Sequence, residues 1–96
     1  MRQIMVDLSS SGHTVFRANV GLFFTKDGRP VKSGLPTGFS DIFGFTREGK
    51  PFFIEVKTST GRLSTEQTAF IAAMRARGAI AGMVRSSKEA LELLVK

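Results

Sequence analysis

The chain has 96 residues, a net charge of +6, 42% hydrophobic and 23% charged residues, and no cysteine. That length holds one domain with one modest core, the composition excludes a disordered chain, and the absence of cysteine excludes disulfides and thiolate metal sites. The start "MRQIMVDLSSSG" is too polar for a secretory signal and no run reaches the roughly 18 apolar residues of a membrane span, so the expectation is a cytoplasmic protein without a membrane role, whose positive surface attracts polyanions, nucleic acid first.

Ile4, Met5 and Leu8 fall at helical spacing before the breaker "SSSG", which predicts a short first helix. His13 stands in the turn that follows, and a lone histidine with no cysteine is given no metal role. "HTVFRANVGLFF" predicts a strand over 14–19 and another near 22–25, with Gly21 as the break. "KDGRPVKSGLPTG", residues 26–38, carries two of the three prolines and three glycines and reads as a loop bearing Lys26, Arg29 and Lys32. "FSDIFGFT" and "KPFFIEVKT" flank the turn "REGK" and predict an antiparallel hairpin.

"STEQTAFIAAMRARG" carries the strongest helix signal, with Ser64 as N-cap, Gln67 three residues on as in a capping box, and Gly78 just past the end. "AIAGMV" is a short apolar strand, and "SSKEALELL" repeats the start signal with Ser86 and Glu89 before a helix that turns Leu91 and Leu94 inward. The strand at 79–84 is reached through a helical crossover, so it is expected parallel to the strand before that helix. The result is an α/β fold, a small mixed sheet flanked by helices in the order α-β-β-β-α-β-α. No repeat or internal linker divides residues 1–96, which read as a single domain.

Within "FFIEVK", Phe52, Ile54 and Val56 share one strand face and Phe53, Glu55 and Lys57 the other, because strand side chains alternate. The first face is a core face; the second ends in two charges. If residue 46 faces 51 across the hairpin, Asp41 falls opposite Val56, between Glu55 and Lys57. The Asp41 and Glu55 carboxylates can then reach a common ion. Converging carboxylates repel and need a proton, a cation or separation. A hard divalent ion such as Mg²⁺ takes one or two carboxylates and leaves room for water and phosphate. Lys57 adds a positive charge beside it. Gln67 heads an apolar helical stripe of Phe70, Ile71 and Met74 that packs on the sheet. It is either half of the capping box or a ligand for a catalytic water or phosphate.

Together these residues resemble the PD-(D/E)XK nuclease superfamily and, within it, the VRR-NUC (virus-type replication-repair nuclease) group. The resemblance is carried by "FRANVG", "GLPTGFSDIFG", "FFIEVKTSTGRLSTEQTAF" and "RARGAIAGMVRSSKEALELL", nearly the whole chain from Phe16 onward. It implies a restriction-endonuclease-like sheet and a single VRR-NUC-type domain over 1–96. It implies Asp41 and Glu55 as metal-binding acids with the Val56 carbonyl as a further ligand, Lys57 as the catalytic lysine and Gln67 as the motif glutamine. Arg17 and Asn19 match an "RxN" stretch where substrate or structural hydrogen bonds are expected. The group usually carries another acid on its first helix; here Gln3 stands at that position, with Asp7 one turn later.

The resemblance also implies Mg²⁺ or Mn²⁺ as cofactor, with no other small-molecule cofactor. It implies DNA as partner, branched DNA such as a Holliday junction above all, in a bacterial or phage-infected cell. A homodimer would set two sites on one substrate and add burial to a small core. Lys26, Arg29, Lys32, Arg62, Arg75 and Arg77 are candidates for phosphate contacts, sensitive to salt. The rival reading is a DNA-binding module of the same fold that has lost catalysis.

Overall fold

The computed structural model describes residues 1–19, 22–32 and 34–95 and, of Leu22 and Phe23, the backbone alone. The elements in chain order are α1 (Arg2–Ser10), β1 (Thr14–Arg17), β2 (Leu22–Phe24), β3 (Pro30–Lys32), β4 (Ile42–Phe45), β5 (Pro51–Val56), α2 (Thr65–Ala76), β6 (Ile80–Val84) and α3 (Ser87–Leu94). The break expected at Gly21 lies outside the described residues. Four strands form the main sheet in the order β1-β4-β5-β6. β1, β4 and β5 are antiparallel, and β6 lies parallel to β5 as its helical crossover requires. This is the small mixed α/β architecture of restriction-endonuclease-like folds.

Two expectations are corrected by one turn type used twice. The stretch 26–38 is not all loop: Pro30–Lys32 is a strand paired antiparallel with Leu22–Phe24 in a separate two-stranded ribbon. Five strands therefore precede α2: three belong to the main sheet, which with its helices follows the expected order α-β-β-β-α-β-α, and two form the ribbon. "TKDGR" (25–29) closes this ribbon as "TREGK" (46–50) closes the β4–β5 hairpin. In each, the first threonine N–H donates to the fifth residue's carbonyl (2.9 and 2.8 Å), and the glycine N–H donates back to the threonine carbonyl (2.9 and 2.8 Å). In each, the threonine Oγ1 also accepts the fifth residue's N–H, at 3.0 Å. Gly28 and Gly49 take φ of +87° and +90°, a left-handed step at which glycine has no Cβ penalty. The three-residue loop makes Thr46 face Lys50, not Pro51. The register then runs Phe45↔Pro51, Phe43↔Phe53 and Ile42↔Ile54, one residue from the expected pairing. A slip of one residue exchanges faces, so it decides what Asp41 meets.

The sheet is covered on both sides. Ile42, Phe52 and Ile54, none of them accessible to solvent, point to one face and pack with Ile4 and Leu8 of α1 and Ala90 and Leu94 of α3. Each such side chain contributes roughly 1.5–3 kcal/mol on burial. Gly44 sits in this layer because a Cβ there would stand 1.8 Å from the Thr14 carbonyl oxygen of the neighbouring strand. α2 lies over β5 and β6 on the opposite face, with Ile71 buried and Phe70 against Phe53 and Phe39. His13 joins α1 to the hairpin turn: its Nδ1 accepts the Arg47 N–H at 3.2 Å and its ring meets Phe52 edge-on.

Candidate active site

The corrected register places Asp41, the residue before β4, level with Glu55 near the end of β5. Both then belong to the α2 face of the sheet. The Asp41 Oδ2 accepts the Val56 N–H at 2.9 Å, and its carbonyl accepts the Ala18 N–H at 2.9 Å, so β1 and β5 both hold this residue. A strand residue's N–H and C=O point to the same side, so the Val56 carbonyl also faces the Asp41 side.

Gly38 and Ser40 set the approach to Asp41. Gly38 has φ +93°, and a Cβ there would lie 2.6 Å from the Glu66 carbonyl oxygen at the start of α2. No other residue fits so close to that backbone. Ser40 is buried and its Oγ donates to the Ile42 carbonyl at 3.0 Å.

Glu55 is 3% exposed. Its Oε1 accepts the Gln67 Nε2–H at 3.1 Å and lies 3.8 Å from the Lys57 Nζ. Its Oε2 is buried and has no hydrogen-bond partner among the described residues. Burial foremost, then the Asp41 carboxylate, pushes Glu55 up to about 8; Lys57 offsets part of this. An unpartnered carboxylate oxygen beside a second carboxylate is a demand for positive charge, and the donor set, all oxygen, suits a hard divalent cation. Among the described residues no group of three or more His, Cys, Asp or Glu could hold a metal ion. The acid set here is therefore two.

Gln67 closes the capping box and also reaches the buried acid. Its Oε1 accepts the Ser64 N–H at 2.9 Å and its own N–H donates to the Ser64 Oγ at 3.1 Å, a complete capping box, while its Nε2 reaches Glu55. An amide has an acceptor and donors, and the two ends serve different elements.

A cleft of about 430 Å³ opens above these groups, lined by Arg17, Ala18, Asn19, Thr37, Gly38, Phe39, Asp41, Glu55, Ser64 and Gln67. Arg17 and Asn19 thus come to the site. Gln3 does not: its Nε2 donates to Asp7 Oδ1 at 2.8 Å on the exposed side of α1. Hydrogen bonds from Ser87 and Gln3 hold Asp7 below the usual carboxylate range. The physical reason is the helix's apolar stripe: Ile4 and Leu8 pack α1 into the α3 layer, on the other face from α2.

The remaining basic candidates are not gathered in the cleft. Lys26, Arg29 and Lys32 lie on the β2–β3 ribbon, where Arg29 pairs with Asp27 at 3.1 Å. Arg62 lines a separate groove of about 600 Å³ with Arg85 and Met83. Arg85 donates to the Thr58 carbonyl. Arg75 donates through Nε to the Ala81 carbonyl at 2.7 Å, which ties α2 to β6. Thr37 and Phe39, which were not among the expected site residues, also line the cleft; in the sequence they stand within "GLPTGFSDIFG", just ahead of Asp41.

The family model described as the VRR-NUC domain matches residues 23–88, a stretch that contains Asp41, Glu55, Lys57 and Gln67. No curated protein matches the chain. Since the match spans well over half of the residues, and the acids, lysine and glutamine it covers meet at one end of the sheet, the chain belongs to the VRR-NUC domain family, a family of nucleases.

Proposed function

We propose that the protein is a Mg²⁺- or Mn²⁺-dependent endonuclease that hydrolyses phosphodiesters in structured DNA, four-way junctions above all, and that it works as a homodimer. The observation that carries this reading is the buried, unpartnered Oε2 of Glu55 beside Asp41. Asp41, Glu55 and the Val56 carbonyl are the groups that would hold the cation. When bound, such an ion supplies charge neutralisation at the scissile phosphate and acidifies water.

The chain's own groups do the rest. Gln67 fixes the Glu55 carboxylate through Oε1 and leaves Oε2 for the cation. The Lys57 ammonium, beside the same carboxylate, stabilises negative charge developing on the phosphate and orients the attacking water. Arg17 and Asn19 line the cleft and hold the strand in place. Lys26, Arg29, Lys32 and Arg62 contact phosphates away from the cut, which gives a binding strength that falls steeply with salt.

A cleavage assay on labelled four-way junction, flap and linear duplex, with Mg²⁺, Mn²⁺ or EDTA, tests this beside Glu55→Ala. Metal-dependent cutting that is lost in the variant supports the nuclease, and the order of substrates names its preference. A second reading, a DNA-binding module without catalysis, is favoured by the two-acid set. It predicts salt-sensitive DNA binding and no cutting at any metal concentration.

A further inference from the structure

The face that carries Asp41 and Glu55 continues along the sheet as a row of phenylalanines. Alternation puts Phe43 and Phe45 on the side of Asp41 in β4, and the register sets Phe16 of β1 against Phe43. The rings of Phe16 and Phe43 are 5.5 Å apart, and those of Phe43 and Phe53 are 6.5 Å apart and stacked. α2 covers the β5 and β6 part of this face, and Phe39 fills the corner between Phe43, Phe53 and Phe70. Among the described residues the β1 and β4 part has no helix over it: Phe16 is 47% exposed and Phe45 is 50% exposed. At about 3.4 Å per residue, Phe45 lies roughly 14 Å along the strand from Asp41. Arg17, exposed in the next position of β1, lines the cleft, and Lys50 is exposed at the turn beyond Phe45.

We propose that Phe16 and Phe45 form a stacking platform for unpaired nucleobases of the DNA strand that enters the cleft. The proposal rests on the nuclease reading, since it extends the substrate's path from Asp41 and Glu55. Large exposed rings on a flat sheet mark an interaction surface rather than a core. Nucleobases are the occupant that the surroundings select. The rings share the face of the candidate catalytic acids, and the chain carries a net charge of +6. Bases can reach the rings only when splayed out, because a duplex presents stacked bases edge-on and its backbone outward. The platform therefore selects DNA with unpaired nucleotides next to the cut, such as a frayed junction or a flap, over continuous duplex.

The test uses the whole protein in EDTA, so that binding is read without cutting. The chain contains no Trp and no Tyr, so Phe45→Trp introduces a single indole reporter. Short oligothymidylate should quench that indole, and a duplex of the same length should not. The double variant Phe16→Leu/Phe45→Leu keeps the apolar volume but removes both rings. It should bind oligothymidylate about tenfold more weakly, the order expected for loss of a base–aromatic stack, with duplex affinity unchanged. An unquenched indole, or equal losses for oligothymidylate and duplex, would overturn the platform. So would a wild-type dimer that the double variant dissociates while oligothymidylate affinity holds, which would assign the face to a second copy of the chain. If no form of DNA binds, the nuclease reading fails with it; if duplex binds and oligothymidylate is not favoured, the platform alone fails.

Discussion

Gln67 and Glu55 are joined by one hydrogen bond, Nε2 to Oε1 at 3.1 Å, while the oxygen of the same amide closes the N-terminal cap of α2 on Ser64. The start of the helix and the orientation of a buried carboxylate are therefore one arrangement. Replacing Gln67 by Ala removes an acceptor for the Ser64 N–H and the donor to Glu55 together. Replacing Ser64 by Ala removes only the cap.

Both variants should lose about 1 kcal/mol of stability in urea denaturation, the usual worth of a helix cap. Cleavage separates them. Gln67→Ala should cut more slowly by tenfold or more, on the order of 1.4 kcal/mol of barrier, and Ser64→Ala should stay near wild type. Equal cleavage by the two would mean that the Glu55 contact has no part in the reaction.

The Glu55 carboxyl, raised to about 8 by burial and Asp41, gives a signed pH dependence. An unfolded glutamate titrates near 4.5, so between that value and about 8 the folded protein holds a proton that the unfolded chain has lost. The stabilisation is complete below pH 4.5 and is lost as pH rises through 8. Without divalent cation, thermal unfolding should show stability falling across this window. Glu55→Gln should flatten the slope and be the more stable protein above pH 8.

Divalent cation should reverse that trend in the wild type. A cation competes with the proton for the same oxygens, so the rise in Tm on adding Mn²⁺ should grow from pH 6 to pH 8. At about 100 times its Kd the ion adds roughly 2.7 kcal/mol. Glu55→Gln should show little of this shift, and an equal shift in both proteins would place the ion elsewhere.

Asp41 joins structure to chemistry through the Val56 N–H. Asp41→Asn keeps an acceptor for that N–H and should fold with stability close to wild type. Asp41→Ala leaves the N–H without its partner and should cost about 1 kcal/mol more. Both should lose cleavage. A cutting Asp41→Asn would remove Asp41 from the ion's ligands.

Gly38 tests the approach of the loop to α2. Its φ of +93° and the 2.6 Å separation of an added Cβ from the Glu66 carbonyl predict that Gly38→Ala strains the loop ahead of Asp41. A loss of about 2 kcal/mol or more in denaturant unfolding is expected, with reduced cleavage. A neutral effect would show that the loop moves away from α2 freely.

Features set within a few neighbouring residues were legible in the sequence. The capping box at Ser64 and Gln67, the glycine after α2 and the alternation in "FFIEVK" depend on contacts one turn or one strand step away. The parallel placement of β6 followed from its helical crossover, and the acid, lysine and glutamine motif from the resemblance to the VRR-NUC group. What needed tertiary structure were relations between distant segments. A single glycine in the left-handed region of "TREGK" moved the hairpin register by one residue and brought Asp41 opposite Glu55. The same turn in "TKDGR" made a strand of Pro30–Lys32, which the prolines and glycines around it concealed. Packing of Ile4 and Leu8 sent Gln3 to Asp7 instead of the cleft, and the extent of α2 left Phe16 and Phe45 uncovered. Sequence determines which side chains an element can offer to a face, because backbone periodicity is local; which faces meet, and what they leave open, is decided only when the elements pack.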